Sequence, residues 1–115
     1  MRTTKTDVAL DLEQLSYATL EDPVLMREIV QALIDDLGRQ AGLLHTAVAE
    51  EDASRTVRLA RHSARACQNV GAHRATATLR SIEQIAGIGE LAGCSDLLFV
   101  LRAEIETLEA EAARL

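Results

Sequence analysis

Tryptophan is absent from these 115 residues, and Tyr17 and Phe99 are the only aromatic side chains, although 48% of the chain is hydrophobic. A core of this composition must be built from Leu, Ile, Val and Ala, which suits helices packing on helices better than sheets. Pro23 is the only proline and glycine is modest at six, so the residues that punctuate strands and turns are scarce. Cys67 and Cys94 are the only thiols; their spacing matches neither a metal knuckle nor a redox pair, and two cysteines make no disulfide framework. Positive charge is in deficit: 12 Lys and Arg against 18 Asp and Glu leave a net −6, which argues against general nucleic-acid binding. No apolar run is long enough to span a bilayer, and Met1 to Asp7 contains no apolar stretch of the kind that opens a targeting segment. The expectation is a cytoplasmic protein with no membrane and no nucleic-acid partner. Gly87, Gly89 and Gly93 lack the lysine and the strand context of a nucleotide-binding loop.

What is present is helical periodicity. The length allows one domain, large enough to bury roughly two-thirds of its unfolded surface. Residues 1–8 are expected to be frayed or disordered, and 9–115 to form the domain. Leu12, Leu15 and Leu20 recur at near-helical spacing behind Asp11, a plausible cap for a short first helix ending near Ala18. Asp22-Pro23 is a start signal, with an acidic cap and then a proline at the first helical position, where its missing N–H costs nothing. The stripe Met26, Ile29, Val30, Leu33, Leu37, Ala41, Leu44 and Val48 predicts a long amphipathic helix. Glu50-Glu51-Asp52 interrupts it and supplies an acidic lead to a helix from about Ala53 to Asn69, which Gly71 is suited to close. Ala75, Leu79, Ile82 and Ile85 define a further helix from about Ala72, followed by a loop at Gly87-Ile88-Gly89. Leu97, Leu98, Leu101, Ile105, Leu108 and Ala112 define a last one, from about Ser95 to Leu115. The predicted fold is all-α: an antiparallel four-helix bundle preceded by a short N-terminal helix.

The helix over Thr56 to Val70 separates cleanly on a wheel. Val57, Leu59, Ala60, Ser63, Ala64, Ala66, Cys67 and Val70 fall on one half, and Arg58, Arg61, His62, Arg65, Gln68 and Asn69 on the other. Arg55, Arg58, Arg61 and Arg65 crowd into eleven residues of an acidic chain. His62 therefore stands toward water, with Arg58 four residues before it and Arg65 three after, the spacings that share a helix surface. Imidazole is a nucleophile near neutral pH, and guanidinium neighbours favour both the uncharged ring before phosphorylation and the anionic phosphoimidazole after it. The bland reading is a solvated surface histidine.

The stretch Leu59-Ala-Arg-His-Ser-Ala-Arg-Ala-Cys-Gln-Asn-Val-Gly-Ala72 resembles the signature of the histidine-containing phosphotransfer (HPt) domains. That signature has a histidine, a lysine three residues on, then a glycine, small residues, and an apolar-Gly pair ending the helix. His73 to Glu83 is similar to the helix that follows it in the family, and Asp22 to Val30 to the family's second helix; the likeness covers essentially 9–115. The resemblance implies a phosphorelay intermediate, a phosphocarrier rather than an enzyme. It would accept a phosphoryl group from a receiver-domain aspartate and pass it to another receiver. His62 would be the phosphoacceptor, with Arg65, Arg58 and Arg61 steadying the phosphoryl group. The docking surface would include Leu12, Leu15 and Tyr17 on the first helix, with Ala66, Gln68 and Asn69. Partners would be a response-regulator receiver and a histidine kinase; no cofactor is implied for this chain, Mg²⁺ being expected on the receiver. Four positions depart from the pattern: Arg65 replaces lysine, Ala66 replaces glycine, Cys67 replaces a small Ser or Ala, and Gly71 follows His62 by nine residues where the family usually has ten. Two registers follow. Either the turn at Asn69-Val70-Gly71 is one residue shorter and His62 is the acceptor, or Arg61 holds the acceptor position and the domain binds a receiver or kinase without carrying phosphate.

The remaining candidates read as structural. His45 looks like a boundary residue near a helix end, and His73 like an ordinary surface position. The histidines have no i,i+4 partners, so no metal site is expected. Cys67, on the apolar face, reads as small core filler, whereas Cys94 reads as exposed in a Gly-rich loop. Asp35-Asp36 point in different directions and suit a solvated patch. The helix faces favour neither a monomer nor a pair.

Overall fold

The computed structural model describes residues 8–115. Five α-helices follow in order: α1 Leu12–Ala18, α2 Pro23–Ala49, α3 Ala53–Val70, α4 His73–Gly87 and α5 Cys94–Ala112, with a short 3-10 turn at Leu91–Gly93. No strand occurs among the described residues. α2 packs on α3 and α5, and α4 packs on the same two helices, closing a four-helix ring. Short links make successive helices antiparallel neighbours. Near the start of α2, Arg27 donates to the carbonyl of Leu115 at 3.0 Å. The expectation of frayed residues at the N-terminus concerns mostly residues outside those described.

The starts of α1, α2 and α3 rest on the aspartates named above, whereas α4 and α5 start without a side-chain cap. Asp11 Oδ1 accepts from the Gln14 N–H at 3.0 Å. Asp22 Oδ1 accepts from Val24 and Leu25, and Asp52 Oδ1 from Arg55 at 3.0 Å. Each satisfies N–H groups that the first turn would otherwise leave without an acceptor. Pro23 occupies the first helical position of α2. Gly71 closes α3 in the left-handed region at φ +97°, while the Cys67 carbonyl accepts from both Gly71 and Ala72.

Leu15, Leu37, Leu44, Leu79, Ile82, Leu101 and Leu108 form the fully buried centre, with alanines allowing the helices to close on one another. Burial of each such side chain contributes roughly 1.5–3 kcal/mol. The two aromatics take no part: Tyr17 is 87% and Phe99 78% exposed.

Several boundaries differ from expectation. Leu20 lies outside α1 and is exposed, because Leu20 and Glu21 both adopt positive φ (53° and 61°) to turn the chain sharply into α2. Gly87 is the last residue of α4 rather than part of the loop. α5 begins at Cys94 and ends at Ala112. The Cys94 thiol, expected to be exposed, is buried against the Ile82 carbonyl because the turn at Leu91–Gly93 folds it inward.

Candidate functional site

α3 is the most polarised helix of the bundle. Thr56, Ala60, Ser63, Ala64 and Cys67 are buried, whereas Arg58, Arg61, His62, Arg65, Gln68 and Asn69 are exposed. The polar half of the wheel is exposed throughout, whereas on the apolar half Val57, Leu59, Ala66 and Val70 are only half-buried, because α3 packs against α2 and α4 through one side and these residues lie at its margins. The small buried residues bring the backbone of α3 close to its neighbours, which holds the ridge bearing His62 on a rigid support.

His62 makes no hydrogen bond or ion pair with any described residue. Its ring is exposed in the middle of α3, with Arg58 and Arg65 on the same stripe. Arg58 donates only to the Ser54 hydroxyl, at 3.3 Å, and Arg65 has no carboxylate within reach among the described residues. Arg61 behaves differently. It lies on the edge of the ridge toward α4, where its Nε donates to Glu83 Oε2 at 2.9 Å.

Glu83 also accepts from Arg80 at 3.2 Å, and Arg80 in turn donates to the Gln68 side chain at 3.3 Å. The hydrogen bond from Arg61, supported by Arg80, holds the Glu83 carboxyl below the usual carboxylate range. A chain of polar contacts therefore runs along the α3–α4 seam beside His62, and Arg61 is part of it.

The end of the ridge is fastened to α1. Gln14 Nε2 donates to the Gln68 carbonyl at 2.8 Å and to the Asn69 carbonyl at 3.4 Å, and the Asp11 N–H donates to the Gly71 carbonyl at 2.9 Å. His73 is 9% exposed, with Nε2 3.3 Å from Asp11 Oδ2. Its expected surface position is corrected: the segment leading into α1 crosses the start of α4, with the Val8 carbonyl accepting from the Arg74 N–H and Asp11 lying against the ring. An open groove follows this junction, lined by Gln14, Gln68, Asn69, Thr76 and Arg80. His62 stands outside it.

The expected docking residues divide. Gln68 and Asn69 are exposed and Ala66 is half-buried on the same helix. Leu12 is 48% exposed and available beside Tyr17. Leu15 is not: at 1% exposure it is the anchor that pins α1 to the core, so its place on a docking surface is withdrawn. Sequence reasoning missed Glu83, Arg80 and Gln14. The Arg80–Glu83 spacing of three carried a signal for their own pairing, but nothing local signalled that Arg61 would join them.

Cys67, directly beneath the ridge, is pushed up to about 12 by burial, with Asp36 and Glu104 adding to the effect. It is an inert thiol packed in the core rather than a second nucleophile.

No protein-family model and no curated protein matches this sequence. Among solved structures, the chain is similar to the crystal structure of histidine-containing phosphotransfer protein B from Pseudomonas aeruginosa PAO1. The TM-score is 0.83, over 93% of this chain and 96% of that one, at 20% sequence identity. The chain therefore has the fold of a histidine-containing phosphotransfer protein, an all-helical bundle. None of the helices is long and apolar enough to cross a membrane, among the described residues.

Proposed function

We propose that this chain is a phosphorelay intermediate in which His62 accepts a phosphoryl group from a receiver-domain aspartate and hands it to another receiver. One observation carries the reading: an exposed imidazole with no partner among the described residues stands midway along a helix ridge, flanked on its own stripe by Arg58 and Arg65. In the transfer, the unprotonated ring nitrogen attacks phosphorus in line. The P–O bond to the aspartate breaks, the carboxylate leaves with the bonding pair, and a P–N bond forms. Arg58 and Arg65 donate charge-assisted hydrogen bonds to the phosphoryl oxygens in the product. Arg61, engaged with Glu83, contributes at longer range. The protein acts as a carrier, and Mg²⁺ belongs to the receiver.

A second reading, a module that binds a receiver or kinase without being charged, is favoured by one feature. Gly71 follows His62 by nine residues where the resemblance expects ten, and the residue ten before Gly71 is Arg61.

Incubation with radiolabelled phospho-receivers separates the two. The carrier reading expects acid-labile, base-stable label on the chain that is lost in His62→Gln and kept in His45→Gln and His73→Gln. Saturable receiver binding without any label would replace it with the second reading.

A further inference from the structure

Charge is segregated in this molecule to a degree that its net value conceals. α3 carries four arginines and no carboxylate, so the remaining residues, with eight Lys or Arg against 18 Asp or Glu, carry −10. Half-buried Arg55 and exposed Arg58, His62, Arg65 and Asn69 recur along α3 at spacings of three and four, forming one stripe centred on His62. Off the stripe, Arg39 pairs with Asp36, and Arg61 and Arg80 share Glu83, while Arg102 and Arg114 form no ion pair among the described residues. Arg55, Arg58 and Arg65 meet no carboxylate among the described residues.

This arrangement works against the helix that bears it. Like charges three or four residues apart destabilise a helix by about 0.2–0.5 kcal/mol per pair. Arg55 also lies in the first turn of α3, where the helix dipole disfavours a cation, and no acidic residue follows the cap there. A solvated surface would be better served by interspersed carboxylates, which this chain has in excess. The costs are recovered only when an opposing negative surface lies along the stripe.

We propose that the Arg55–Arg58–Arg65 stripe is a docking surface for the acidic face of a folded protein, the receiver of the preceding section, and that it captures this partner by electrostatic steering. This deepens the phosphorelay reading and rests on it for the partner's identity. The stripe extends two helical turns to the N-terminal side of His62, with Arg55 about 10 Å from it along the axis. It therefore orients an incoming surface over a length greater than the phosphoryl group itself. A field of one sign on a protein of the opposite sign raises association rates by about tenfold or more at low salt.

The test is stopped-flow association of the full chain with purified receiver domains, between about 20 and 500 mM salt. The expected association rate constant falls about tenfold or more across that range. Replacing all three arginines by glutamine should lower it about tenfold at low salt and flatten the salt dependence, with dissociation changed little. The triple lysine variant should retain the wild-type rate, since it keeps the charge. Glu106→Gln with Glu109→Gln, on the exposed face of α5, should leave association as it was. Circular dichroism should show the glutamine variant at least as thermally stable as the wild type, because like-charge repulsion has been removed.

Salt-independent association, or an equal loss in the lysine variant, would overturn the proposal. So would comparable, salt-sensitive retention of a double-stranded oligonucleotide, which would make the stripe a general polyanion surface. Failure of the relay reading has a different signature: steered receiver binding with no label on His62 leaves this proposal standing. Label transfer with salt-insensitive association removes the steering alone. Absence of binding by every receiver tested removes both.

Discussion

Substituting Gly71 by alanine should destabilise the fold and loosen α1, for two reasons that can be separated. The residue sits at φ +97°, where an L side chain costs about 1–2 kcal/mol. An added Cβ would also lie 3.2 Å from both the Cβ and the carbonyl oxygen of Asp11, inside ordinary contact distance. Neither atom belongs to a flexible side-chain end. Asp11 is held by its N–H to the Gly71 carbonyl and by its carboxylate to the first turn of α1 and to His73. Relieving the clash must shift that junction, at about 1–3 kcal/mol. The sum is about 2–5 kcal/mol, and each kcal/mol lowers the melting temperature of a chain this size by roughly 4 °C. Urea and thermal melts followed by helical circular dichroism should therefore show Gly71→Ala roughly 8–20 °C below the wild type. Gly71→Asn tests the division, because asparagine tolerates positive φ but brings the same Cβ to Asp11. If crowding matters as argued, asparagine recovers only the backbone share. Full recovery by asparagine would refute the contact with Asp11 as a cause, and an alanine variant within about 0.5 kcal/mol of wild type would refute the whole account.

The two perturbed carboxylates should act on stability in opposite directions. Glu83 is held below its ordinary value of 4.5, first by the Arg61 hydrogen bond, so its stabilisation is present above that value and is lost as pH falls through the folded-state pKa. Glu83→Gln should therefore lower the melting temperature modestly at pH 7 and flatten its fall in acid. Glu104, half-buried on α5 and accepting from the Thr78 hydroxyl, is raised chiefly by burial, so the stability it contributes is present below 4.5 and lost as pH climbs through the raised value. Glu104→Gln should give a small gain at pH 7 and none near pH 4; a loss at pH 7 would show that the charged form is wanted there. Burial raises both thiols, Cys67 to about 12, so a thiol reagent should label the native chain at the rate of global unfolding. Rapid labelling of Cys94 in the absence of denaturant would contradict its burial.

The helices and the exposed face of α3 were legible in the residues because their causes are local. Asp11, Asp22 and Asp52 satisfy N–H groups two or three residues on, Gly71 takes a backbone conformation that side chains resist, and a three-and-four apolar stripe must turn inward wherever it packs. Each of these is written within one turn of helix. The position of His62 on the outer face of α3 follows from the same periodicity.

Contacts between distant segments were decided only when the helices met. Periodicity showed that Leu15 was apolar, but the packing of α1 on the bundle made it a core anchor rather than a docking residue. His73 became buried because Asp11, 62 residues earlier, folds over it, and Cys94 because a short turn directs it toward Ile82. Arg61 and His62 are adjacent and both exposed, yet α4 engages only Arg61, through Glu83 22 residues away. Helical periodicity gives a side chain its direction from the axis, whereas its partner depends on which helix is packed beside it, and that is a property of the assembled bundle.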